Sequence, residues 1–356
     1  MRILFPVHQG ASGGIGTNVR GLVASIPPAL APGDEFVVAG QRLRNAEHRQ
    51  LHDSSGSRWF FPRLSRIGYE QLYVPILARD ADVVHLSDYR HPLLSRQRFV
   101  LTIHDVFYWD HPEWYSAVTV RYRRAMLHAA MRKHPSAIVC VSNYTRERLL
   151  ARYPEAEASH LVVIRPGIET LDATDGQRPS DPYFLTVSLI EPRKNHLALL
   201  DAFRLARRRG LELRWKVAGA VGRCADEIIS KLHADDAVDV LGHVPAAELD
   251  RLYREATFLA VPSHAEGFCF PPLEAMARGI PTICSAGSAL DETVGDAAVR
   301  VAADDRQGWA DALLHLASDG TERRRLREVG LYRAGGFRLE DAASAYVDVY
   351  RAAVAA

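Results

Sequence analysis

Several features that would point to other classes of protein are scarce or missing in this chain of 356 residues. It has four cysteines and no Cys-x-x-Cys pair, so neither a disulfide framework nor a zinc site is expected. The chain has no run of about 18 apolar residues, so no membrane-spanning helix is predicted. Its apolar start is too short for a secretory signal. With 44 basic and 43 acidic residues, the chain lacks the basic excess of a nucleic-acid-binding protein. We therefore expect a soluble protein of the cytoplasm that binds no nucleic acid.

Short apolar runs alternate with amphipathic segments along the chain, which predicts parallel α/β sheets. In the first half, the predicted strands are Arg2–Val7, Phe36–Ala39, Val83–Leu86, Val100–Ile103, Ile138–Val141 and Leu161–Ile164. In the second half, they are Tyr183–Ser188, Arg214–Ala218, Val238–Leu241, Phe258–Val261 and Pro281–Cys284. The length also exceeds what one hydrophobic core usually organises, so two domains are predicted.

The polar, proline-containing stretch Leu171–Pro182 interrupts this alternation and is the predicted linker. We predict Rossmann-like domains over residues 1–175 and 176–338. A helix over residues 339–356 is expected to pack back on the first domain. Two such sheets facing each other would form a cleft at the carboxyl ends of their strands, where ligands bind in open α/β sheets.

A glycine-rich loop follows the first predicted strand and precedes a helical pattern. Gly10, Gly14 and Gly16 fit the Gly-x-x-x-Gly-x-Gly pattern of short-chain dehydrogenases, which makes an NAD(P)-dependent oxidoreductase one alternative. Such glycines allow a tight turn and a close approach of backbone amides to a phosphate. Against this alternative, no tyrosine has a lysine four residues later, and the second strand ends without an acidic residue for a ribose, although Arg42 could suit a 2′-phosphate.

Two glutamates eight residues apart lie in the second half of the chain. Glu266 follows a predicted strand, and Glu274 falls in the first turn of a helix predicted to begin at Pro272. Two carboxylates so placed can accept hydrogen bonds from several hydroxyl groups, while amides at the helix start hold a pyrophosphate. Taken alone, each also has a structural explanation, as a solvated loop residue or as an acid at a helix start.

This segment resembles the Glu-x7-Glu motif of the family 4 glycosyltransferases, which have the GT-B fold of two facing Rossmann-like domains. The resemblance implies that Glu266 contacts hydroxyl groups of the donor sugar and that Glu274 contacts the nucleotide ribose. It also implies that Gly267, Phe268 and Cys269 lie at the donor phosphates. Many family members have Gly-Leu where this chain has Cys-Phe, so the shape of the pocket is expected to differ.

Two further segments extend the resemblance. The sequence around Arg193 and Lys194 is similar to the family's Glu-Pro-Arg-Lys-Asn segment, which implies that both cations bind the diphosphate and stabilise charge on the leaving group. Ser188, just before it, replaces a glycine that is frequent in the family. His104 resembles the histidine at the end of an N-domain strand that faces the donor sugar. The alternatives are a basic helix start with solvated side chains and a structural histidine.

The resemblance also assigns two sites of nucleotide contact. His243, which follows a predicted strand, is where family members hold the nucleobase, although GDP and UDP are not distinguished by these residues. In the family, the loop of Gly14 and Gly16 closes over the diphosphate and the acceptor side, so Gly14→Val or Gly16→Val is expected to abolish transfer in a folded protein.

The implied activity is a retaining, metal-independent hexosyl transfer without a cofactor. The segments Thr102–Asp105 and Asp110–Glu113 look most like bacterial mannosyltransferases of surface polysaccharides, so GDP-mannose is the first choice of donor. The expected acceptor is a glycan, a lipid-linked molecule or a small molecule. A sugar-nucleotide epimerase on the same fold and a non-catalytic sugar-nucleotide binder are further alternatives.

The segment Arg121–Lys133 is basic and amphipathic, which permits two interpretations. It could attach the protein reversibly to an anionic membrane that carries a lipid-linked acceptor, giving a peripheral location at the inner face. The alternative is an ordinary packed helix with its arginines pointing outward.

Overall fold

The computed structural model describes residues 1–7, 13–40, 58–60, 68–90, 92, 95–169, 171–173 and 180–355, so the predicted roles of Gly10 and Arg42 lie outside the described residues. The chain divides into two compact units. The first consists of Met1–Glu169 with Phe337–Ala356, and the second of Thr170–Gly336. Each unit has its own parallel β-sheet with helices, which confirms the predicted α/β class.

Among the described residues, the first unit has a seven-stranded sheet in the order β3-β2-β1-β4-β5-β6-β7. The second has a six-stranded sheet in the order β10-β9-β8-β11-β12-β13. The strands are β1 Arg2–Val7, β2 Glu35–Gly40, β3 Arg58–Phe60, β4 Val83–Leu86, β5 Phe99–Ile103, β6 Ala137–Cys140, β7 His160–Val163, β8 Tyr183–Val187, β9 Arg214–Ala218, β10 Val238–Gly242, β11 Leu259–Val261, β12 Thr282–Ser285 and β13 Val299–Val301. The short strands β3 and β13 were not predicted from the sequence.

The helices surround these sheets. In chain order they are α1 Gly14–Ala29, α2 Val74–Leu77, α3 Phe107–Asp110, α4 Ala117–Met131, α5 Asn143–Leu150, α6 His196–Arg208, α7 Asp226–His233, α8 Ala246–Glu255, α9 Phe270–Ala277, α10 Ala289–Val294, α11 Arg306–Ser318, α12 Gly320–Gly335 and α13 Leu339–Ala355. A single π-helical turn, Tyr69–Tyr73, precedes α2.

Helix α13 is the last element of the chain but belongs to the first unit. Its buried face shares a hydrophobic cluster with strands β1, β5 and β6 and with α1. The hydroxyl group of Tyr350 lies 2.6 Å from Nδ1 of His85, whose Nε2 lies 2.8 Å from Oγ1 of Thr102. Burial lowers the pKa of His85 to about 3, so this histidine is a neutral structural residue.

In the second unit, the chain segments that follow β8 and β9 approach each other closely at one glycine. Gly219 has φ of 153°, and a Cβ atom at this position would lie 1.7 Å from the carbonyl oxygen of Ser188. The Gly219 amide donates to the carbonyl oxygen of Gly242 at 2.7 Å. This close approach keeps the loops after β8, β9 and β10 together at the edge of the sheet where ligands bind in open α/β folds.

Helix α4 differs from the expectation that its arginines point outward. The guanidinium carbon of Arg123 lies 4.9 Å from the ring centre of Tyr115, and that of Arg124 lies 4.4 Å from the ring centre of Trp109. Nε of Arg124 also donates to the carbonyl oxygen of Tyr108 at 3.1 Å. The prediction was wrong for these two residues because aromatic side chains of the segment before α4 offer each cation a face to stack on.

Candidate active site

The strongest cluster of charged side chains lies at the carboxyl ends of β8 and β11 in the second unit. After β8, the chain forms a 3₁₀ turn over Pro192–Lys194, and Asn195 takes a left-handed conformation with φ of 57° before α6 begins. Glu266 lies in the loop after β11. Because both strands are parallel neighbours of one sheet, their following loops meet at the same edge.

Arg193 and Lys194 both bind the carboxylate of Glu266. Nη1 of Arg193 donates to Oε2 at 2.8 Å, and Nζ of Lys194 donates to Oε1 at 2.5 Å. Arg193 also donates to the carbonyl oxygen of Ala265 at 2.9 Å and to Oε1 of Glu191 at 3.0 Å. The structure therefore brings three of the predicted site residues, which are far apart in sequence, into direct contact.

Only 5% of the surface of Glu266 is exposed, but the carboxyl group remains ionised because both its oxygens bind cations. Burial alone would raise its pKa, but the charges of Lys194 and Arg193 and the hydrogen bonds from Lys194 and Ser263 outweigh that effect and hold the pKa at about 2. Two cations are thus held beside one another by a single carboxylate at pH 7.

Glu274 lies in α9 and has a different partner. Oε2 of Glu274 accepts a hydrogen bond from the hydroxyl group of the buried Tyr253 at 2.8 Å. Helix α9 begins at Phe270, so Glu274 lies in the second turn and not, as predicted, in the first. The error arose because Pro272 was taken as the first helical residue, whereas the structure has both prolines inside the first turn.

The loop before α9 has an unusual backbone. Cys269 has φ of 79°, a conformation that favours glycine, which is the residue expected here from the family resemblance. At a helix start, four backbone nitrogens have no partner within the helix, and two of these belong to Pro271 and Pro272, which carry no hydrogen. The amide donors left at this end of the helix are those of Cys269 and Phe270. These residues directly follow Gly267 and Phe268, which were predicted to lie at the donor phosphates.

Three other predicted residues, His243, Gly14 and Gly16, are not among the residues that the structure shows in contact with the ion cluster. His243 directly follows β10 and is exposed to solvent. Gly14 and Gly16 lie in the first turn of α1 in the first unit, with Gly16 buried.

No described helix combines the length and the apolarity that crossing a membrane requires.

His104 lies at the carboxyl end of β5 in the first unit. Its Nε2 lies 3.1 Å from the carbonyl oxygen of Ser87, and burial lowers its pKa, which favours the neutral ring at pH 7. It lines a small, open pocket whose other residues are Ile15, Asp88, Tyr89, Thr102, Ile103, Asp105, Tyr108 and Arg123.

The sequence analysis did not identify three residues of this pocket as site candidates, namely Asp88, Tyr108 and Arg123. Asp88 had a usable signal, because it comes two residues after the end of β4, at the same edge of the sheet as His104. Arg123 had none, since its helical pattern predicted a solvated face. The described residues contain no group of three side chains that could hold a metal ion.

Two family profiles match consecutive parts of the chain. The profile described as Glycosyltransferase Family 4 matches residues 16–171, and the one described as Glycosyl transferases group 1 matches residues 168–331. Together they extend over both units.

Curated relatives support the same family. O-antigen chain mannosyltransferase B of Escherichia coli is 29% identical over 272 residues, which are 72% of this chain and 70% of that protein. O-antigen chain mannosyltransferase RfbU of Salmonella typhimurium is 27% identical over 232 residues, or 63% of this chain and 62% of that protein. A D-inositol 3-phosphate glycosyltransferase of Corynebacterium urealyticum is 34% identical over 131 residues, or 36% and 31% of the two chains.

Solved structures show the same fold. HepE of Anabaena, in complex with UDP-glucose, matches with a TM-score of 0.78 and 18% identity, covering 98% of each chain. Sucrose-phosphate synthase of Thermosynechococcus elongatus matches with a TM-score of 0.76 and 17% identity, again over 98% of each chain. The predicted GT-B class is confirmed, and these similarities do not support the oxidoreductase alternative.

Proposed function

The chain belongs to the family 4 glycosyltransferases, and we propose that it transfers mannose from GDP-mannose to a hydroxyl group of a glycan, with retention at the anomeric carbon. The choice of mannose is supported by the two O-antigen chain mannosyltransferases among the relatives. A UDP-sugar is the competing donor, because the similar structure of HepE holds UDP-glucose.

The observation that carries this proposal is the contact of Arg193 and Lys194 with Glu266. A nucleoside diphosphate leaves with negative charge on its phosphate, and two adjacent cations lower the energy of that charge in a site with little water. In the free protein, the two cations neutralise Glu266. When the diphosphate arrives, it competes for them, and the released carboxylate can accept hydrogen bonds from the donor sugar. No metal or cofactor is required in this scheme, because the side chains supply the positive charge.

Glu266 is unsuited to act as a nucleophile. In the free protein, each of its oxygens accepts a hydrogen bond from a cation. Once the diphosphate has taken these cations, the carboxylate is proposed to bind hydroxyl groups of the sugar, which places it away from the anomeric carbon. Retaining glycoside hydrolases, in contrast, use a carboxylate nucleophile about 5 Å from a second carboxyl group. We therefore propose a same-face displacement. The bond between C1 and the phosphate oxygen breaks with its electron pair on the phosphate, the acceptor oxygen bonds to C1, and the acceptor's proton passes to the departing phosphate.

The remaining predicted residues have roles in holding the donor. Glu274, fixed by Tyr253, accepts hydrogen bonds from the ribose, and the amides from Gly267 to Phe270 contact the diphosphate. His243 is exposed after β10 and is proposed to contact the base. In the first unit, neutral His104 faces the donor sugar as a hydrogen-bonding group, and Gly14 and Gly16 allow the diphosphate to approach α1.

A calorimetric binding panel tests the function. The ligands are GDP, UDP, GDP-mannose, UDP-glucose, UDP-N-acetylglucosamine, NADH and NADPH, and the proteins are the wild type and Glu274→Ala. We expect GDP and GDP-mannose to bind the wild type and to lose affinity in the variant. Binding of the UDP ligands alone would show that the donor is a UDP-sugar and not GDP-mannose. Binding of NADH or NADPH alone would contradict transferase activity. Mass spectrometry after donor turnover adds a check, since a covalent sugar on Glu266 would contradict the displacement.

A further inference from the structure

The pocket beside His104 contains a hydroxyl group that the fold leaves unused. Tyr108 is 1% exposed, and its hydroxyl oxygen is buried without a hydrogen-bond partner among the described residues. A buried hydroxyl group without a partner destabilises a fold, so such a group needs an explanation. Because burial raises the pKa of Tyr108 well above its ordinary value, the group is a permanent hydrogen-bond donor at pH 7.

Arg123 offers further donors in the same pocket. Its guanidinium carbon lies 5.5 Å from the ring centre of Tyr89, 5.7 Å from that of Tyr108 and 4.9 Å from that of Tyr115. These three rings hold the cation, and within the described chain it forms neither a hydrogen bond nor an ion pair closer than 4 Å. Its N–H groups are thus positioned, by stacking alone, to bind something else.

The charge of the pocket argues against an anionic ligand. Asp88 binds Arg90 at 2.7 Å, and Arg90 also binds the buried Glu70 at 3.3 Å. Asp105, which accepts a hydrogen bond from the Phe107 amide at 3.3 Å, is the second carboxyl group that lines the pocket near Arg123. Because the charged residues that line the pocket are two carboxyl groups, Asp88 and Asp105, and one arginine, Arg123, a phosphate would meet net negative charge.

We infer that this pocket binds one edge of a neutral sugar at the end of the acceptor, with Tyr108 and Arg123 donating to its hydroxyl groups and Asp105 accepting from them. This inference rests on the proposed transferase function and adds the class of acceptor, a neutral pyranose. The mixture of fixed donors, carboxylates and tyrosine rings suits several hydroxyl groups on an apolar ring. The pocket is small and open to solvent, so the inference concerns one edge of the sugar and not the whole ring.

Tyr108→Phe tests the inference, because it removes only the unpaired hydroxyl oxygen. Tyr153→Phe is the matched control: Tyr153 is 4% exposed, its hydroxyl is likewise buried without a partner in the described chain, and it does not line the pocket. Both variants are expected to keep or raise the melting temperature, since neither loses a hydrogen bond. Only Tyr108→Phe should weaken acceptor binding, by about three- to tenfold for one hydrogen bond.

Binding is measured by saturation-transfer NMR in the presence of GDP or UDP, whichever binds. The probes are the methyl glycosides of mannose, glucose, galactose and rhamnose, with mannose 6-phosphate and inositol 1-phosphate as anionic comparisons. We expect at least one neutral glycoside to bind the wild type better than either phosphate, and Arg123→Met to weaken it as Tyr108→Phe does.

Three results would overturn the inference: preference for a phosphate, binding of no neutral glycoside, or equal behaviour of the two tyrosine variants. A rise in the KM of the donor sugar alone in Tyr108→Phe would also overturn it, because the pocket would then hold the donor. Failure of the proposed function is distinguishable, since it would appear as absence of nucleotide binding and of donor hydrolysis in the wild type.

Discussion

Replacing Glu266 with glutamine should remove a specific part of the acid sensitivity of the second unit. In the wild type, this buried carboxyl group has a pKa of about 2 in the folded state, against 4.5 as its ordinary value. The pKa is lowered by folding, so the ionised group stabilises the fold above pH 4.5, and this contribution is lost as the pH falls toward 2. Glutamine cannot ionise and has no such dependence.

The size of the effect follows from that shift. At about 1.4 kcal/mol for each pKa unit, Glu266 contributes about 3 kcal/mol to the free energy of unfolding at pH 7, of which about 2 kcal/mol is lost at pH 3. Other carboxyl groups also titrate in this range, so the informative quantity is the difference between wild type and variant. The variant starts from a lower stability at pH 7, because Arg193 and Lys194 lose their shared counter-charge.

The assay is urea unfolding at pH 7, 5 and 3. The three tryptophans of the first unit are replaced by phenylalanine, so that the fluorescence of Trp215 and Trp309, both buried in the second unit, reports its unfolding. Glu212→Gln, at an exposed site, is the control and should keep the wild-type dependence. Equal losses of stability from pH 7 to pH 3 in wild type and Glu266→Gln would refute the argument that the two cations hold the carboxylate ionised.

Two further predictions concern the second unit. Gly219→Ala should lower the free energy of unfolding of this unit by at least about 2 kcal/mol, because the new methyl group overlaps the Ser188 carbonyl. The control Gly210→Ala, also at a positive φ but with open space around it, should lower it by about 1 kcal/mol. Equal values in urea unfolding would contradict this prediction. Tyr253→Phe should weaken donor binding by about three- to tenfold in calorimetry by releasing Glu274, while the control Tyr183→Phe, whose hydroxyl group donates to the Leu252 carbonyl, should leave the affinity unchanged.

The elements of the fold were largely predictable because each buried parallel strand is a short run of apolar residues. Strands such as Arg2–Val7 and Arg214–Ala218 agree with the sequence pattern at both ends. The three-residue strands β3 and β13 were missed, since runs of that length carry too little periodicity to stand out from a loop.

The ion cluster was predictable only in part. The motifs indicated Arg193, Lys194 and Glu266 as site residues through their resemblance to a family, and pattern alone would not have placed the cations on that glutamate. Their contact depends on which loops meet at the sheet edge, a property of strand order. The inward turn of Arg123 was hidden for a related reason, because Tyr89 is distant in sequence and supplies one of the rings that hold it.

Helix α13 has a consequence for how the chain is made. The first unit is encoded in two pieces, and its core lacks the side chains of Tyr346, Val347 and Tyr350 until α13 is synthesised. On the ribosome, the second unit can therefore complete its core first, while the apolar surface of the first unit that α13 covers remains exposed to solvent. The first unit can complete its core only after α13 has left the ribosome, and a stop codon before residue 337 would leave an intact second unit attached to an incomplete first one.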